Sequence, residues 1–160
     1  MSRLSSKIIG ILAGALTVAA LGTGPALADH SKIDGSITAN GETCSWTDGS
    51  TSDNPPNTLT VDRTTINAPG GNLSCTGGVE ATLNNDPTAT FDDDNGTATV
   101  DLLDVTLTQL GVECRYQAND VVGQRDGTTR HYTASVSIPL ASGGFGCPNP
   151  LDADASLTLH

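Results

Sequence analysis

The apolar residues of this chain come in short alternating runs. Thr58-Leu59-Thr60-Val61 is one, and Val79-Glu80-Ala81-Thr82-Leu83 another. Val112-Glu113-Cys114-Arg115-Tyr116, Ala134-Ser135-Val136-Ser137-Ile138 and Ala155-Ser156-Leu157-Thr158-Leu159 follow. A period of two with polar residues between predicts half-buried β-strands. Threonine, with 20 copies after residue 28, suits a pleated surface because its branched Cβ is stiff. Turn-forming clusters separate the runs: Asn40-Gly41, Asn54-Pro55-Pro56-Asn57, Pro69-Gly70-Gly71-Asn72, Asn84-Asn85-Asp86-Pro87 and Ser142-Gly143-Gly144. No helical stripe follows residue 28. The fold class expected is all-β, an antiparallel β-sandwich, Ig-like or related, with two disulfides.

Thr97 to Leu110 is the longest run, and its alternation slips. Val100 and Leu102 share one face; Leu103, Val105 and Leu107 share the other. A bulge at Leu102-Leu103, or a strand crossing from one sheet to another, would produce this change of face.

The first 28 residues read differently. Arg3 and Lys7 precede an apolar run from Ile8 to Leu21, and Ala26-Leu27-Ala28 is a small-x-small cleavage site. The run is shorter than the roughly 20 residues that span a bilayer. A signal peptide over 1–28 and a single secreted domain over 29–160 are expected, with extracellular localisation and no membrane insertion after cleavage. Cleavage would remove two of the seven basic residues and none of the 18 acidic ones, taking the formal charge from −11 to about −13. That excludes nucleic acid, whose phosphates need clustered Lys and Arg. The core is lean, with 25 Leu, Ile, Val and Phe residues in the 132 after the cleavage site.

Four cysteines in an exported chain read as two disulfides, which three connectivities allow. A faint repeat favours one of them. Cys44-Ser45-Trp46 recurs as Cys114-Arg115-Tyr116, and Cys75 and Cys147 follow at similar distances. Each is followed by an Ala-x-Leu strand, Ala81-Thr82-Leu83 and Ala155-Ser156-Leu157. Equivalent halves would pair Cys44 with Cys75 and Cys114 with Cys147. Trp46 and Tyr116 would then share a face with their disulfides, either packed inside or exposed as an aromatic platform for a glycan or protein partner.

Phe91-Asp92-Asp93-Asp94-Asn95-Gly96-Thr97 invites a calcium reading. An EF-type loop with Gly96 at its sixth position puts Phe91 at the first and Leu102 at the twelfth, where oxygen ligands belong. The matched flanks Thr88–Phe91 and Thr97–Val100 favour a hairpin turning on Asn95-Gly96. Asp92, Asp93 and Asp94 remain the weak candidate ligands for a cation. His131 is the one internal histidine; no Gly-x-Ser-x-Gly elbow accompanies it, and no zinc spacing is present. Asp29-His30 at the new amino terminus could hold copper loosely. No catalytic residue and no cofactor is expected.

Leu73-Ser74-Cys75, the acidic hairpin, Cys114-x-Tyr116 and Cys147-Pro148, together with the signal peptide, resemble small secreted proteins of unknown function from high-GC Gram-positive bacteria. The resemblance implies a β-sandwich and brings no catalytic residues. The function expected is non-catalytic binding, or decoration of the cell exterior. A protease or glycosidase inhibitor, using 50–57 or 141–150 as its loop, and a structural surface protein are the alternatives.

Overall fold

The computed structural model describes residues 31–160. The expected signal peptide and the candidate copper site at Asp29-His30 lie outside the described residues. Eleven strands follow in order: β1 Lys32–Ala39, β2 Glu42–Ser50, β3 Leu59–Thr60, β4 Ser74–Cys75, β5 Glu80–Leu83, β6 Thr88–Asp92, β7 Thr97–Gln109, β8 Val112–Arg125, β9 His131–Ile138, β10 Leu140–Gly143 and β11 Leu151–Leu159. Among the described residues a single 3₁₀ turn, Arg63–Thr65, is capped by the Asp62 carboxylate, which accepts from the Thr64 amide at 2.9 Å. The described residues are all-β, with every pairing antiparallel, as the alternation predicts.

Hydrogen bonding joins the strands into one sheet in the order β3-β6-β7-β8-β9-β11-β1-β2-β4, with β5 on β7 and β10 on β8. The sheet doubles back on itself. β8 and β9 pair only at Gln124–Thr133 and Arg125–Tyr132, then splay apart. From that corner the sheet runs one way through β8, β7, β6 and β3, with β5 and β10 alongside, and the other way through β9, β11, β1, β2 and β4. Across the opposite margin a bridge between Thr51 and Val61 ties the end of β2 to the end of β3. The Ser52 amide donates to the Thr60 carbonyl, and the Asp62 amide to the Ser50 carbonyl, both at 2.9 Å. Both joins lie at the same end of the molecule, which is therefore closed. Ile33, Leu59, Val61, Ile66, Tyr132 and Leu159 pack there.

The slip in the long run is real and involves two strands. β7 and β8 keep one register from Thr97–Gln124 to Gln109–Val112, with no residue gained on either side. The faces change together. Ala98 and Val100 point inward before Asp101, and Leu103, Val105 and Leu107 after it; on β8 the change falls between Ala118 and Val121, with Asp120 at φ 52°. β6 pairs the first part of β7 and β5 the second. The strand thus crosses between two partners, and an inserted-residue bulge is absent from this pair.

The faint repeat is also structural. β1–β2 and β7–β8 are hairpins closed by Asn40-Gly41 and Leu110-Gly111, all four at positive φ between 51° and 83°, the type I′ geometry. Cys44 and Cys114 stand at the same step past each turn, and the disulfides are Cys44–Cys75 and Cys114–Cys147. The closing strands are exchanged between the halves. Ala81 and Leu83 of β5 lie opposite Leu107 and Val105 of β7, while Ala155 and Leu157 of β11 lie opposite Ile37 and Gly35 of β1.

The disulfides span sequence separations of 31 and 33 residues, each worth about 3–4 kcal/mol through restriction of the unfolded chain. Replacing both cysteines of either pair by serine is expected to lower the unfolding free energy by about that amount. Denaturant titration of the two double variants checks this, and a loss below about 1 kcal/mol would contradict it.

Candidate functional site

Strands alternate, so each sends every second side chain between the layers. Those side chains do not fill the space. An apolar cavity of about 410 Å³ lies between the layers, lined by residues from both halves of the core. Ile37, Val100, Leu103, Val105, Leu107 and Val121 face it and are only half-buried. At the closed end its wall is fully buried, with Leu59, Val61 and Ala98. The exposed lining residues concentrate at the opposite end, around the two I′ turns: Asn40, Gln109, Leu110, Val112, Gly146 and Pro148. The cavity therefore opens between the turns.

Equivalent positions of the repeat line it in pairs: Ile37 with Leu107, Asn40 with Leu110, Glu42 with Val112, Cys44 with Cys114, and Trp46 with Tyr116. The lips differ in chemistry. The first carries Asn40 and Glu42, whose carboxylate accepts from the Thr76 hydroxyl at 2.5 Å. The second carries Leu110, 98 % exposed, and Val112, 38 % exposed. Nearby, the segment that carries fully exposed Phe145 leaves β10 where Gly143 faces Cys114. Among the described residues that line the cavity, Glu42 is the one charged side chain.

The two aromatic candidates take the interior option. Tyr116 is 1 % exposed, and its hydroxyl donates to the Pro148 carbonyl at 3.2 Å. Burial pushes its pKa up. Trp46 is half-buried over Gly35, where any Cβ would overlap the indole ring. Its Nε1–H is buried without a partner, a deficit of about 1–3 kcal/mol if nothing else supplies an acceptor. Neither residue forms an outward platform.

The acidic hairpin also differs from its expected turn. Asp92 pairs with Thr97, leaving a four-residue loop in which Gly96 alone has positive φ. The Asp92 carboxylate accepts from the Asn95 side chain at 2.7 Å and from its amide at 3.0 Å, and these bonds hold its pKa low. Asp93 pairs with Arg125 at 2.6 Å. Asp92 and Asp93 thus have partners within the protein. Asp34, Asp48 and His160, which the sequence does not connect, do converge, with donor atoms within 4.8 Å. Asp34 accepts from the Asp48 amide at 2.8 Å, the main cause of its lowered pKa, and its Oδ1 lies 3.2 Å from His160 Nε2. None of the three lines the cavity. His131 Nδ1 sits 3.0 Å from the Thr158 hydroxyl. Of the two candidate inhibitor loops, 50–57 is braced by Asp53, which accepts from the Asn54 amide and the Asn57 side chain. In the other, β10 draws residues up to Gly143 into the sheet.

Asp104 is the buried carboxylate that the alternation does not reveal. It points to the outer face of β7 and is 4 % exposed. It accepts from Arg115 Nε at 2.9 Å, from Asn84 Nδ2 at 2.8 Å and from Gln117 Nε2 at 2.7 Å. The Arg115 guanidinium, first among these, holds its carboxyl well below the usual carboxylate range.

Comparison with protein-family models, curated proteins and solved structures finds no match to this chain.

Asp104→Asn is expected to destabilise the protein by about 2–4 kcal/mol at neutral pH, the scale for breaking a buried charged network. A carboxylate with a depressed folded-state pKa adds stability above its unfolded value near 3.9 and loses it as pH falls further. The gap between wild type and variant should therefore be constant above about pH 5 and shrink below about pH 4. Urea titrations from pH 7 to pH 2 check this; a gap that persists unchanged at pH 2 would exclude it.

Proposed function

We propose that this is a secreted, non-catalytic binding protein whose ligand is an apolar small molecule held between the two layers. The observation that supports this reading most directly is the cavity of about 410 Å³ with an apolar wall and one open end. Ligand pockets typically enclose about 300–1,000 Å³ with mostly apolar linings and a few polar groups. An engineered apolar cavity of about 150 Å³ already takes up benzene. Secretion is supported by the leader-like first 28 residues and by two disulfides, which belong to an oxidising environment. The acidic charge keeps the carrier soluble and away from anionic surfaces.

Trp46, the one tryptophan, lines the cavity and reports its contents. A neutral naphthylamine dye is expected to bind saturably at one site and to change Trp46 emission. At a hundredfold excess over its Kd the dye should add about 2.7 kcal/mol, or roughly 8–12 °C in Tm for a domain of this size. Absence of saturable binding would sink the reading.

A variant tests the cavity itself. Ala155 lies between Ile37 and Ala134 in the ladder and faces the space. In a filled core Ala155→Leu would cost about 1–3 kcal/mol by overpacking. Here it is expected to leave stability unchanged or raised and to weaken dye binding at least tenfold. A stability loss of more than about 1 kcal/mol would show that the space is already occupied by side chains.

A further inference from the structure

We infer that the ligand is a single-chain amphiphile, its tail in the cavity and an uncharged or cationic head at the Asn40–Glu42 lip. The inference rests on the cavity reading above and specifies its ligand. Three observations support it.

Shape comes first. From Ile33 at the closed end to Ala39 at the mouth, β1 runs six residue steps, a depth of about 20 Å. A space that deep and of modest volume suits one extended chain better than a compact ring system.

Charge comes second. Glu42 is the one charged side chain in the lining, and no Lys, Arg or His lines it among the described residues. An anionic head would meet a carboxylate and find no counter-charge. A hydroxyl, amide or ammonium would find acceptors in Glu42 and Asn40.

The third is a broken local rule. Both I′ turns need positive φ at their first central position, where Asn is favoured. Asn40 fits at φ 51°; its repeat equivalent Leu110 holds the same φ with a branched, apolar side chain almost wholly in water. That choice is poor for the backbone and for solvation at once, and such departures cluster at functional sites. With Val112 on the same lip, Leu110 gives the mouth an apolar side facing a polar one. The mouth is thus amphipathic along the line where a head group leaves its chain.

The test displaces the neutral naphthylamine dye with dodecylamine, dodecanol and dodecanoate, below their micelle concentrations and at low salt. Dodecylamine and dodecanol are expected to displace it at concentrations at least tenfold below dodecanoate. Glu42→Gln should reduce the advantage of dodecylamine over dodecanol by roughly threefold, the scale of an exposed ion pair. This separates the lip from the general negative charge of the surface, which the variant barely alters. Leu110→Asn, which suits the turn better, should keep or raise Tm while weakening all three amphiphiles. Dodecanoate binding as well as dodecanol, Glu42→Gln leaving the amine advantage intact, or Leu110→Asn binding normally would each overturn the inference while the cavity reading survives. Failure of the dye itself to bind would remove both.

Discussion

Protein interiors are packed about as densely as organic crystals, and a sheet that doubles back must meet that density with whatever its strands send inward. Here each strand sends every second residue, and many of those are alanine: Ala81, Ala89, Ala98, Ala134, Ala153 and Ala155 all line the space between the layers. The sheet cannot collapse further to compensate. Its layers are joined on both margins at the closed end, by the Arg125–Tyr132 corner and the Thr51–Val61 bridge. The separation of the layers is thereby set by backbone hydrogen bonds, and side chains too small to span it leave a hollow. The half-exposure of Ile37, Leu103 and Leu107 follows from that mismatch.

Stability is then supplemented outside the core. Asp104 draws together side chains from β8 and from the segment after β5 on the outer face, where Arg115, Gln117 and Asn84 meet it. Asn85 completes the notch between β5 and β6, accepting from the Asp104 amide and donating to the Leu102 carbonyl. The disulfides hold the open end. Cys44 and Cys114 both stand three residues past their turns, so each cross-link anchors a lip without crossing the mouth.

Much of this was legible in the sequence because period-two alternation reports faces directly. The strands, the disulfide pairing through the Cys-x-aromatic repeat, and the change of face near Leu102-Leu103 could all be read from it. What alternation does not report is which strand lies beside which. The exchange of β5 and β11 between the halves is a choice of neighbour, and no local pattern specifies it. Asp104 was hidden for a related reason: its place in the run marks it as outward, and only the packing of the 84–87 segment against that face buries it. Asn95-Gly96 misled differently. Asp92 captured the Asn95 side chain and amide, and that local hydrogen bonding fixed a longer loop than the dipeptide alone implies. The lean composition gains its meaning as a hollow only once the sheet is seen to close at one end.

The exchanged strands carry a consequence for how the two lips came to differ. Two separate copies of such a half, each lending its last strand to the other, would build the same body around a two-fold axis. Identical subunits would force both turns to carry the same residues, so any mouth on that axis would be uniformly polar or uniformly apolar. Placing both halves in one chain lifts that restriction. Asn40 and Leu110 occupy the same structural position yet are encoded separately, and a symmetric frame can then hold a mouth with a direction.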